Sequence, residues 1–254
     1  MPEANTQTTA AGRYIYAIIP DQGRQSLGTI GLEEAEVYSI GDGQVAAVVS
    51  GIKAARIRPQ RRNMAAHQEV LKQLLQQVTP LPAAFGLVAD DDAAIARILK
   101  DNSAVFLDQL KRVDASVEMG LRMTWDVPNI FEFFVGTHAD LQELRDRFFR
   151  DGGQLTQDEM ITLGSSFERL LDEDRETYAD QVEAVLRTCC REIKRNKCRT
   201  ETEIMNLACL VPRSELERFE QAVQQAARPF DDNYAFDFNG PWAPHNFVEM
   251  DIHL

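Results

Sequence analysis

The chain is short of the residues and motifs on which chemistry is usually built. Its 254 residues include four cysteines and four histidines. Cys189, Cys190, Cys198 and Cys209 contain no C-x-x-C pair and have no suitably spaced histidine, which excludes the common zinc frameworks. Three of them fall in a stretch read as helix, so reduced thiols in a reducing compartment are the expected state. Neither G-x-G-x-x-G nor G-x-x-x-x-G-K-[ST] occurs, and with them go the two glycine-rich loops of nucleotide-binding proteins. No apolar run approaches the roughly 18 to 20 residues that span a bilayer. Residues 1–11 are polar and lack the basic start and apolar core of a secretory signal, so an intracellular protein with no lipid-membrane partner is expected. Basic charge is short too, at 27 Lys and Arg against 40 Asp and Glu, for a net charge of −13. Residues 1–113 are balanced at 12 basic and 12 acidic, so the whole deficit belongs to residues 114–254, with 15 and 28. An acidic surface repels phosphate backbones, and nucleic acid is not an expected partner.

What is present is the patterning of a packed α+β chain, with 44% hydrophobic and 26% charged residues. Residues 1–12 read as a flexible tail. Arg13–Ile19 is apolar on both faces, as a central strand would be, and Val37–Ile40 with Val45–Val49 flank Gly41-Asp42-Gly43 as a hairpin. Apolar residues at helical spacing predict helices over Arg61–Val78 and over about Asp91–Arg112. These elements form an N-terminal α+β domain with an antiparallel sheet, residues 13–113.

The second domain, 114–254, opens on the alternating strand Val117–Trp125, whose polar positions are Glu118, Gly120, Arg122 and Thr124. Helical patterns cover Phe131–Phe149 and Ser165 to about Lys197, the latter with Ser165 or Ser166 as N-cap and with Lys194, Arg195, Lys197 and Arg199 at its C-terminal end. Ile204–Val211 reads as a strand, and Ser214 with Glu217 as a capping box for the next helix. Two final alternating strands, through Tyr234–Phe238 and Val248–Leu254, are joined by a turn at Gly240–Pro244. The order predicts a ferredoxin-like sandwich carrying extra helices around 127–200.

Candidate chemistry is sparse. His67 sits between Met64 and Val70 in a helical pattern, where a satisfied, partly buried histidine is a simpler reading than a general base. Glu249, Asp251 and His253 alternate onto one strand face, yet solvated edge residues are far commoner than an ion site there. Gly164-Ser165-Ser166 lacks the second glycine of a nucleophile elbow. Acidic groups such as Asp90–Asp92 and Asp172 with Asp174 read as solvated faces. No catalytic residue, metal site or cofactor is therefore assigned. One basic cluster stands out in the neutral half: Arg56, Arg58, Arg61 and Arg62, with Lys53, could receive an acidic partner, against the plainer reading of an exposed connection marked by Pro59.

Four segments together carry a resemblance: GRYIYAII at 12–19, His67 followed by LPAAFGLV at 81–88, VEMGLRMTW at 117–125 and GPWAPHNFV at 240–248. In this order they resemble the gas vesicle protein family GvpL/GvpF, on its GvpF side. Asp114-Ala115 and His245 depart from the family's usual residues. The resemblance implies two α+β domains and a non-enzymatic accessory or minor structural protein of gas vesicle assembly. It would bind the small hydrophobic wall protein GvpA, and other vesicle accessory proteins with it, and be associated with the vesicle shell in the cytoplasm at its gas-facing side. No catalytic residues come with the family, so Phe85, Gly86, Pro241, Trp242, Pro244 and Phe247 are expected as turn and core positions. The alternative is a ligand-binding regulatory protein of tandem ferredoxin-like modules.

Overall fold

The computed structural model describes residues 12–53, 56–150 and 155–249. Its elements are β1 (Gly12–Pro20), β2 (Ser26–Gly28), β3 (Val37–Gly41), β4 (Val45–Ile52), α1 (Arg61–Leu75), β5 (Leu81–Pro82), β6 (Val88–Ala89), α2 (Asp92–Val113), β7 (Ser116–Trp125), α3 (Ile130–Thr137), α4 (Ala139–Phe149), α5 (Gln157–Leu186), β8 (Glu192–Asn196), β9 (Glu203–Pro212), α6 (Leu216–Ala227) and β10 (Tyr234–Trp242). The fold is α+β. Two compact units divide it: one takes the chain up to Glu118 together with the segment that begins at Pro241, the other is Met119–Gly240.

In the first unit the sheet order is β2-β3-β4-β1-β5, with β6 also paired to β1. The run RYIYAII is central as its two-sided apolarity predicts, and β1 pairs antiparallel with β4 from Gly12↔Ile52 to Pro20↔Val45 through a bulge between Ile15 and Ala17. The β3–β4 hairpin forms around Asp42, whose carboxylate accepts the N–H groups of Gln44 and Val45, both at 2.9 Å. Helix α1 stops at Leu75 rather than Val78, because Gln76–Val78 tighten into a turn on the Gln73 and Leu74 carbonyls before Pro80. Its Val70, Leu71 and Leu74 bury against Tyr14, Tyr16 and Val48. Helix α2 begins where the three aspartates indicate, with Asp91 accepting the Ala94 N–H at 2.7 Å, and it lies against β1, β3 and β4.

The second unit carries a four-stranded sheet in the order β10-β7-β9-β8, with α5 reached through α3 and α4 after β7 and α6 between β9 and β10. A βαββαβ chain with its first and third strands in the sheet centre is the ferredoxin-like arrangement, and α3 with α4 are the inserted helices. The Trp125 N–H bonds the Thr202 carbonyl at 2.8 Å, setting the end of β7 beside the start of β9.

Several local expectations fail here. The long helix forms over 30 residues but starts eight residues earlier than expected, at Gln157. Its start is fixed by a capping box of Thr156 and Glu159, so Ser165 and Ser166 are mid-helix and not N-caps. It ends at Leu186. Lys194 and Arg195 sit on β8 and Lys197 and Arg199 follow it, so none of them complements the helix end, and Cys189, Cys190 and Cys198 are not helical. Pairing of β8 with β9, Ile193 opposite Cys209, outcompetes the continuation of the helical apolar pattern through Cys189 and Ile193. The pattern over 131–149 is two helices, broken at His138, which stacks on Phe134 at 4.9 Å. Ser214 and Glu217 form no capping box, because Arg213–Glu215 make a 3₁₀ turn and α6 starts without a side-chain cap. Gly240, Pro241 and Trp242 are in β10 rather than a turn, and a 3₁₀ turn at His245–Phe247 follows. The last expected strand lies outside the described residues from 250 on.

Candidate functional site

The motif residues of the first unit gather around the β1–α1 contact. Tyr14 and Tyr16 come from β1, His67 from α1 and Phe85 from the loop after β5, with ring centroids between 4.8 and 6.0 Å. The Gly86 N–H donates to the Tyr14 hydroxyl at 3.2 Å, and that hydroxyl lies 2.9 Å from His67 Nδ1. Donor and acceptor in the Tyr14–His67 bond follow the imidazole tautomer, since the hydroxyl oxygen can accept from Gly86 and still either donate to or accept from Nδ1. Gly86 has φ +94°, the left-handed region where a side chain is strained, which accounts for glycine at this point of the motif. Tyr16 completes the cluster: its hydroxyl accepts the Leu32 N–H at 2.8 Å and lies 2.9 Å from Ser50 Oγ.

Electrostatics follow from burial. His67 is 2% exposed, and desolvation, reinforced by the nearby His245, lowers its pKa to about 4. Burial likewise pushes Tyr14 up to about 12 and raises Tyr16. At neutral pH these groups are uncharged, and the hydrogen bonds orient a neutral imidazole within the core.

The residues after β10 close onto the same unit. Ala243, Pro244 and Phe247 are buried, Phe85 is partly buried, and Pro241 and Trp242 stand exposed at the end of β10. Asn246 is held twice, its N–H to Glu118 Oε2 at 2.8 Å and its Nδ2 to Glu118 Oε1 at 2.6 Å. The Gln109 amide grips Glu249 in both directions, taking its N–H at 2.8 Å and donating to its carbonyl. Glu118 is thus 7% exposed and not on a solvated strand face as its alternation predicts, because two N–H donors of Asn246 satisfy the carboxylate. No local pattern marks Glu118 or Gln109 as anchors, since their partners are 128 and 140 residues away in sequence.

The four arginines are brought together by the approach to α1. Arg56 and Arg58 lie before it, Arg61 and Arg62 open it, and all four are exposed. The Arg58 carbonyl accepts the Gln60 N–H at 2.7 Å and Asn63 Nδ2 at 3.1 Å, while Arg62 Nε donates to Gln60 Oε1 at 3.1 Å. Of the weighed ion site, Asp251 and His253 lie outside the described residues, among which no group of three His, Cys, Asp or Glu could hold a metal. Among those residues, too, no helix is long and apolar enough to cross a membrane.

The sequence profile of the family described as gas vesicle synthesis protein GvpL/GvpF matches residues 12–249. Gas vesicle protein F of Nostoc sp. strain PCC 7120 is 27% identical over 245 residues, covering 95% of this chain and 99% of that protein. The crystal structure of the gas vesicle protein GvpF from Anabaena sp. PCC7120 superposes with a TM-score of 0.83 at 27% identity, over 95% of this chain and 99% of that one. That of GvpF from Microcystis aeruginosa gives 0.78 at 22% identity, over 94% and 100%, and shares the fold. The two-sheet α+β architecture and the sequence match extend over the same residues, and the chain belongs to the GvpL/GvpF family of gas vesicle synthesis proteins.

Proposed function

We propose that the chain is a non-enzymatic accessory or minor structural protein of gas vesicle assembly, which binds the small hydrophobic wall protein GvpA and is associated with the shell at its gas-facing side. The observation that carries this reading is the family match, which runs from the first strand to the clamped segment at Glu249. The physical rationale is that a wall protein with exposed apolar surface aggregates unless it is covered during assembly. The first unit, whose residues 1–113 are electrically balanced, is the contact surface. It carries exposed apolar side chains, Met64, Val105 and Trp242 among them, while the acidic excess of the rest keeps a complex dispersed.

The test is capture of purified GvpA by the immobilised full-length chain, with a soluble protein of similar negative charge as control. Specific capture that weakens in a Met64→Glu/Trp242→Glu variant of unchanged melting temperature supports the assignment. Capture no better than the control removes it. Stabilisation by a small metabolite in a thermal melt favours the ligand-binding alternative.

A further inference from the structure

The arginine cluster ahead of α1 differs from the guanidinia that hold carboxylates elsewhere in the chain. Arg13 holds Asp92, Arg122 holds Asp237, Arg169 holds Glu173, and Arg195 spans three carboxylates of α5. With 40 acidic side chains to 27 basic ones, carboxylates are in surplus. Yet Arg56, Arg58, Arg61 and Arg62 are exposed together, and among the described residues none of them forms an ion pair.

The helix they precede sharpens the contrast. Helices α2, α3, α4, α5 and α6 each carry an acidic residue in the first turn, which suits the positive end of the helix dipole. Helix α1 carries none, its N-cap Gln60 makes no side-chain cap bond, and two arginines occupy the turn instead. For folding alone this arrangement is unfavourable, because it sums like charges with an uncompensated dipole. One turn on, Met64 is 49% exposed, so the positive surface has an apolar contact point at its edge.

We propose that this end of α1 docks a carboxylate-rich segment of a partner protein, with its acidic side chains on Arg56, Arg58, Arg61 and Arg62 and an apolar side chain against Met64. Guanidinium forks match carboxylates in paired hydrogen bonds. A nucleic acid would bring its phosphates up to a chain of net charge −13, whereas a short acidic segment meets chiefly the local cluster. The docking chemistry is independent of whether the first unit also binds the wall protein.

The experiment is a fluorescence-anisotropy titration of the full chain with a labelled peptide of alternating glutamate and leucine, about twelve residues long, at about 50 mM and about 300 mM salt. The peptide should bind at low salt and weaken at least about ten-fold at the higher salt. R56Q/R58Q/R61Q/R62Q should weaken it about ten-fold or more with a melting temperature no lower than the parent's, M64Q should weaken it less, and R169Q should bind like the parent. If the quadruple variant does not fold, the pair R58Q/R62Q reads the same loss at smaller scale. Equal binding by parent and arginine variants overturns the proposal. So does absence of binding at low salt, or a deoxythymidine oligonucleotide bound as tightly as the peptide, which would make the site one for phosphate.

Discussion

Each of the two units is stabilised internally, and by opposite means. The first is a sheet whose buried contact with α1 contains hydroxyls and an imidazole, and it is finished by residues from the far end of the chain. The second is one continuous stretch, tied at its surface by arginines: Arg195 on β8 spans Glu176, Asp180 and Glu183 of α5, and Arg175 donates to the carbonyls of Thr200, Glu201 and Glu203. Buried polar groups must find every partner or cost the fold heavily, whereas exposed ion pairs contribute modestly and are weakened by salt. The difference teaches where each unit is vulnerable. The first is sensitive to single internal deletions and to acid, the second to the loss of many surface charges at once.

Glu118→Ala is the sharpest way to break the contrast. It removes two charge-assisted hydrogen bonds between a buried carboxylate and the exposed Asn246, and a destabilisation of about 3 kcal/mol is expected. Amide hydrogen exchange should rise in residues 243–249 and across β1 and α1, while the protection of β8, β9 and α5 should hold. Uniform loosening of both units would show that they do not respond separately.

Acid should come next in size. His67 has its pKa lowered from 6.5 to about 4, so the unfolded chain binds more protons than the folded one between those values. Its contribution is full above pH 6.5, is lost as pH falls towards about 4, and changes no further below that. The total is on the order of 2–3 kcal/mol. Denaturant melts across this window should show a slope that His67→Gln flattens; an unchanged slope would place the acid sensitivity elsewhere.

Arg195→Ala should have the smallest effect, about 1 kcal/mol once solvent screening is counted, and it should vanish in high salt. Denaturation midpoints of parent and variant at low and high salt measure this. A loss that survives salt would mean that the bond to the buried carboxylate of Glu183 dominates over the two exposed ones.

Much of this architecture is legible in local patterns. Two-sided apolarity marks β1 as central, the glycine-flanked Asp42 marks the hairpin, the three aspartates mark the start of α2, and alternation marks β7. The errors arise where two local readings compete. Cys189 and Ile193 continue the stripe of α5 at helical spacing, and only pairing with β9 decides for a turn and a strand. The capping box at Thr156 and Glu159 is itself a readable signal, masked by the stronger apolar stripe that starts later. The anchoring of Asn246 by Glu118 leaves no local trace, because an alternating strand with a buried, satisfied carboxylate looks like one with a solvated carboxylate. The arginine cluster is visible as charge, but its lack of ion partners among the described residues and the missing first-turn acid of α1 emerge only in three dimensions.

The return of residues 243–249 to the first unit also sets an order in time. A ribosome releases β1, β4 and α1 early, but the partners of Glu118 and Gln109 emerge only after the whole ferredoxin-like stretch has been synthesised. Domains usually fold as units during translation, N-terminal first. Here the portion made first is completed last, so a nascent chain passes through a stage in which the second unit can already be folded while the Tyr14–His67 face still lacks its cover.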